Sequence, residues 1–112
     1  MIENAKIKST MLGIEDHGIL TFFLYLEGGA WGQGLGGYAL DGFDRKTETR
    51  KSSGIGLEAI RKILETLDLQ TWEELPGTLV RVQRTASSSP PIIGHILKDQ
   101  WFDLRKFMGD QS

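Results

Sequence analysis

Cysteine is missing from all 112 residues. That excludes disulfides and thiolate metal sites, and it fits a reducing cytosol. Histidine is nearly missing. His17 and His95 are the only two, too few to build a histidine metal site, so neither a metal nor a cofactor is expected. No apolar run reaches the roughly 20 residues that span a bilayer, so no membrane partner is expected. The opening MIENAKIKST lacks the charged-then-apolar order of a secretory signal, and the expected location is cytoplasmic. Charge of one sign is also scarce. The net value of -2 gives no overall field for polymeric nucleic acid, but leaves room for a local basic pocket. What remains is the composition of one globular domain over residues 1–112, with 39% hydrophobic and 25% charged residues and enough chain for an ordinary core.

The chain is organised around ILTFFLYLEGGAWGQGLGGYAL, residues 19–40. Its first eight residues are apolar at both alternating sets of positions. Leu20, Phe22, Leu24 and Leu26 share one side, and Ile19, Thr21, Phe23 and Tyr25 the other. This pattern predicts a strand buried on both faces. Six of the ten residues from Gly28 to Gly37 are then glycine. Gly32, Gly34 and Gly37 spell G-x-G-x-x-G, but the dinucleotide fingerprint must open a helix. Here Tyr38, Ala39, Leu40 and Asp41 follow, which read as strand and turn. A glycine-rich strand with bulges is the better reading. Trp31 and Tyr38 among these glycines are either stacking platforms for a base or covers for bare backbone.

Around this stretch the remaining elements fall into place. Residues Ala5 to Leu12 alternate weakly and predict a first strand. GIEDHG (13–18) is the turn of a hairpin. DGFDRKTETRK (41–51) reads as a charged connection. Leu57, Ile60, Ile63, Leu64 and Leu67 recur at helical spacing, so a helix is expected from Gly54 or Ile55 to about Leu67. Ser52 or Ser53 is its N-cap. Free N–H groups at that start, with Arg50, Lys51 and Ser53 beside them, are suited to a phosphate. TWEE (71–74) matches a capping box and predicts a short helical turn. Thr78 to Thr85 alternates, with Val80 and Val82 facing in. ASSSPP (86–91) is expected at a hairpin tip, Ile92 to Leu97 as a strand, and the tail Lys98 to Met108 as a short capping helix that brings Trp101, Phe102, Leu104 and Phe107 to the body. The fold class is therefore α+β: an antiparallel, sandwich-like sheet with one main helix and short helices.

No catalytic constellation stands out. The Ser87, Ser88 and Ser89 run lies in a loop, and adjacent Glu73 and Glu74 point apart on a helix. Asp16 beside His17 is the only tempting pair, and a turn also needs Asp and Gly there. The residues favour a binding module, with no catalytic residue assigned.

Taken in order, STMLGIEDHGIL (9–20), QGLGGYALD (33–41), SGIGLEAIRKILETL (53–67), TWEELPGTLVRV (71–82) and IGHILKDQWFD (93–103) resemble a phage-encoded group, the first described family of Thoeris anti-defence proteins. The resemblance implies a sponge that binds a cyclic ADP-ribose isomer made by the Thoeris TIR enzyme and holds it uncleaved in the cytoplasm of the infected host. It also implies a homo-oligomer and a second site between subunits for cyclic di- or trinucleotides. Residues in or near the matching stretches that such a site would use are Gly36, Gly37, Tyr38, Arg50, Ser53, Arg81, Arg84, His95 and Lys98. Two rivals come from other classes. One is a phosphodiesterase working through Asp16 and His17. The other is a direct protein inhibitor whose interface is the glycine-aromatic surface.

Overall fold

The computed structural model describes residues 2–84 and 90–110. Its longest strand is β1 (Ile2–Ile14), which borders two different partners. Over Ile2 to Lys6 it pairs antiparallel with β6 (Leu79–Gln83), and over Lys6 to Ile14 with β2 (Leu20–Glu27). The register shifts between Ile7 and Ser9, so Lys8 is an extra residue that reverses which positions face in. Ala5 and Ile7 point inward before the bulge. Beyond it, Thr10 and Leu12 lie opposite the inward Leu24 and Phe22. One strand thus carries two phases of alternation, which is why its pattern looks weak in the sequence.

The main sheet has the order β3-β2-β1-β6-β7-β8 and is antiparallel throughout. Here β3 is Gly32–Gly36, β7 is Ile92–His95 and β8 is Trp101–Phe102. The turn expected at 13–18 is present, closed by the Gly18 N–H on the Glu15 carbonyl at 2.9 Å. No helix follows the glycine fingerprint. Gly36 ends β3 at φ 133°, where an added Cβ would lie 2.2 Å from the Phe22 carbonyl oxygen, so only glycine fits.

The layer facing this sheet is α1 (Gly54–Leu67). Ser53 caps it, its hydroxyl accepting the Gly56 N–H at 3.2 Å and donating to the Leu40 carbonyl at 3.1 Å. Ala59, Ile63 and Leu67 are buried against a core that includes Phe22, Leu24, Leu35, Val80, Val82 and Ile93. Each large side chain buried there contributes about 1.5–3 kcal/mol. The TWEE segment forms a 3-10 turn over Trp72–Glu74, with Glu74 accepting the Thr71 N–H at 2.9 Å. A short helix, α2 (Leu104–Asp110), ends the described chain. The architecture is α+β, as expected.

Some expectations need correction or limits. β2 is fully buried on one face and only partly on the other. Phe22, Leu24 and Leu26 are inside, while on the other side Thr21 is buried beside Tyr38, Phe23 is half-buried and Tyr25 is 41% exposed. The charged segment 41–51 is not a plain connection. It forms a two-stranded ribbon of β4 (Asp41–Asp44) and β5 (Thr49–Ser52). The strand expected at 92–97 stops at His95, Leu97 beyond it is 84% exposed, and the tail expected as one helix first forms β8 before α2 begins at Leu104. The expected tip at 86–91 falls largely on residues 85–89, outside the described residues.

Candidate functional site

The nine anticipated site residues occupy three separate places. The first is the start of α1. Pairing of β4 with β5 sets Arg50 against Asp41. Nε and Nη2 of Arg50 both donate to Asp41 Oδ1, at 3.0 and 2.7 Å, and Asp41 Oδ2 accepts the Leu20 N–H at 3.1 Å. The Asp41 side chain is only 6% exposed. Its carboxyl is held below the usual range by the Arg50 hydrogen bond, and the Arg50 guanidinium is pushed up in return. Lys51 pairs with Asp44 at 3.2 Å. The adjoining cavity, about 130 Å³, is lined mainly by Leu20, Leu40, Leu57 and Ile60. Cations and cap hydroxyl are thus engaged in folding at the point where a phosphate pocket was expected. Gly36, Gly37 and Tyr38 border the same end of β2. The Gly37 N–H donates to the Phe22 carbonyl, and the Tyr38 carbonyl accepts the Thr21 hydroxyl.

The second place contains Arg84. Its guanidinium carbon lies 4.3 Å from the centroid of Trp31, and Nη1 lies 3.4 Å from Glu3 Oε2. Trp31 in turn donates to Glu3 Oε1 at 3.3 Å and lies over Gly28. The aromatic-over-glycine reading therefore describes Trp31, and Glu3 neutralises its cation.

The third place differs in charge. Arg81 lies on the uncovered face of the sheet, because inward Val80 and Val82 leave it on the alternate side. Nε donates to the His95 carbonyl at 2.9 Å and Nη2 to the Lys98 carbonyl at 2.7 Å. The guanidinium carbon lies 4.8 Å from the Trp101 ring centroid. No carboxylate forms an ion pair with Arg81 among the described residues. Its positive charge is held by dipoles and a π face, neither of which cancels it. Trp101 can lie there because its cross-strand partner is Gly94, where a Cβ would be 2.4 Å from the ring. Asp99 accepts the indole N–H at 2.8 Å and anchors the ring. Lys6 is exposed on the same face one strand away.

His95, the last residue of β7, and Lys98, in the loop that leads to β8, border this patch through their carbonyls. His95 Nδ1 accepts the N–H groups of Leu97 and Lys98, both at 3.0 Å. Asp68, the left-handed C-cap of α1, has Lys98 Nζ at 2.7 Å and His95 Nε2 at 3.4 Å. The Lys98 hydrogen bond leads the causes that lower the Asp68 carboxyl. Of the anticipated residues, Arg81, His95 and Lys98 are therefore brought together. Trp101, Gly94 and Asp68 are the ones sequence reasoning missed. A glycine inside an apolar strand was the available signal, since it marks close approach by another group.

The Asp16–His17 pair is not assembled as such. Both side chains are exposed, and the His17 ring faces Glu15, with Nδ1 3.2 Å from Oε2. Among the described residues there is no cluster of three or more metal-ligating side chains. No family model, no curated protein and no solved structure matches this chain.

Proposed function

We propose that the protein is a sponge that binds an anionic nucleotide signal on the uncovered face of its sheet and releases it chemically unchanged. The ligand in this reading is the cyclic ADP-ribose isomer implied by the family resemblance, and its sequestration in the infected host's cytoplasm would block Thoeris immunity. The observation that carries the reading is Arg81, an unneutralised cation lying against the Trp101 indole. A pyrophosphate needs such a charge, and a purine needs such a plane. No catalytic role is assigned to any residue. Calorimetric titration with the isomer, followed by denaturation and analysis of the small molecule, tests the proposal. Saturable binding with intact ligand recovered is the expected result, and turnover beyond one ligand per site would sink it.

The same face supports a homo-oligomer as part of the proposal. Ile2 is 55%, Leu79 57% and Tyr25 41% exposed there, a large apolar content for open sheet. A direct protein inhibitor would also use that surface. Activity against a purified host enzyme with no small molecule present would favour it over the sponge.

A further inference from the structure

We propose that His95 is a positioning residue for Arg81, and that only its neutral form holds the loop on which the anion site depends. The inference rests on the reading of the Arg81–Trp101 patch as the ligand site. Two backbone N–H groups, those of Leu97 and Lys98, converge on His95 Nδ1 at 3.0 Å each. A backbone N–H can only donate, so Nδ1 must present a lone pair and carry no proton. The ring proton then lies on Nε2, 3.4 Å from Asp68 Oδ2. The imidazole side chain is only 16% exposed, so water cannot easily replace those contacts.

The same loop aims Arg81. The carbonyls of His95 and Lys98 both receive the one guanidinium. They can do so because the chain between them folds back, and Nδ1 ties that fold from inside. The Gln100 side chain adds an outer tie to the Thr66 carbonyl at 2.9 Å. The charged groups beside the ring are Asp68, at the C-cap of α1, and Lys98 from the loop, which is paired with the same carboxylate. A proton on Nδ1 would face two N–H donors and remove both acceptor contacts. As pH falls through the range where histidine protonates, the loop opens, Arg81 loses its fixed direction, and anion binding weakens.

The test follows the loop in ligand-free protein by nuclear magnetic resonance. Amide exchange of Leu97 and Lys98 and the Arg81 Nε–H signal are measured across the titration of the His95 ring protons. Protection of both amides should drop roughly tenfold or more, as expected for two lost hydrogen bonds, and the Arg81 signal should move with the same midpoint. His95→Asn offers an oxygen to the same two N–H groups, as in an Asx turn, and cannot titrate. Its loop should stay protected, with a flat pH profile. His17→Asn should keep the parent's transition. Amides that remain protected through the His95 titration, or a transition that survives in His95→Asn, would overturn the proposal. Should His95→Asn fail to fold, coincidence or separation of the midpoints in the parent decides. Absence of binding to the cyclic ADP-ribose isomer at every pH would remove the ligand reading and leave the loop mechanism standing.

Discussion

Arg50 lies on the ribbon that leads into α1 and Arg81 on the uncovered face of the sheet, and they do different work. Arg50 meets a nearly buried carboxylate that also holds the Leu20 N–H. Its charge is cancelled and its geometry fixes the β4–β5 ribbon to the core. Arg81 meets two carbonyls and an indole. Its direction is fixed as firmly, yet its charge is left for something else. The contrast shows that a positioned arginine is not by itself a binding arginine. The partner's charge decides.

The largest disturbance to this contrast should come from Gly94→Val. A side chain there meets the Trp101 ring, and overpacking of this kind costs about 1–3 kcal/mol. Urea unfolding should show that loss, and ligand titration should show weaker binding because the indole leaves its seat. Unaltered binding would mean Trp101 is not part of the site.

Arg81→Ala comes next. It should weaken binding by roughly ten- to a hundredfold, the equivalent of one charge-assisted hydrogen bond, with a smaller change in thermal midpoint than Asp41→Ala. Calorimetry on the two variants side by side checks this. A loss of affinity in Asp41→Ala with none in Arg81→Ala would reverse the roles assigned to the two arginines.

Asp41→Ala should lower the thermal midpoint by several degrees while leaving affinity unchanged, since it orphans Arg50 and the Leu20 N–H. The pH dependence has a definite sign. Asp41's folded pKa lies below its unfolded value. Its contribution is therefore complete above the ordinary aspartate range and is lost as pH falls through the lowered folded value. Asp41→Asn should flatten the acid limb of the stability curve, and denaturation midpoints measured from neutral to acid pH would reveal an unchanged limb if the clamp is unimportant. The smallest effect is expected from Leu57→Ser. Leu57 is 69% exposed on α1, and its replacement should shift stability by no more than about 0.5 kcal/mol. A larger shift in a concentration-dependent melt would locate a subunit contact there.

Much of the frame was legible. Helical spacing and a serine cap marked α1, a capping box marked the 3-10 turn, and Val80 and Val82 marked the inward side of β6. The β4–β5 ribbon was not legible because, apart from exposed Phe43, its residues are polar or glycine on both sides. Its turn also places Glu48, rather than glycine or asparagine, at φ 56°. The second face of β2 was misread because an apolar residue that faces an uncovered surface looks the same in sequence as one in a core. The pairing of Arg50 was hidden for a related reason. Its charge is visible in the sequence, but the register that sets Asp41 opposite it is not. Arg81, His95 and Lys98 were named, yet Trp101 was assigned to a capping tail, since the two-residue strand β8 is too short to show a period.

The long first strand also sets an order of assembly. Its far half zips to β2 as a local hairpin, whereas its near half waits for β6. The Glu3–Arg84 ion pair joins positions 81 residues apart, and such distant contacts form slowly. During synthesis residues Ile2 to Lys6 therefore stay half-paired until β6 has emerged, long after β2 has zipped to the other half of the strand. In that interval the nascent protein carries a sticky edge, and the arrival of β6 is what shields it from its neighbours.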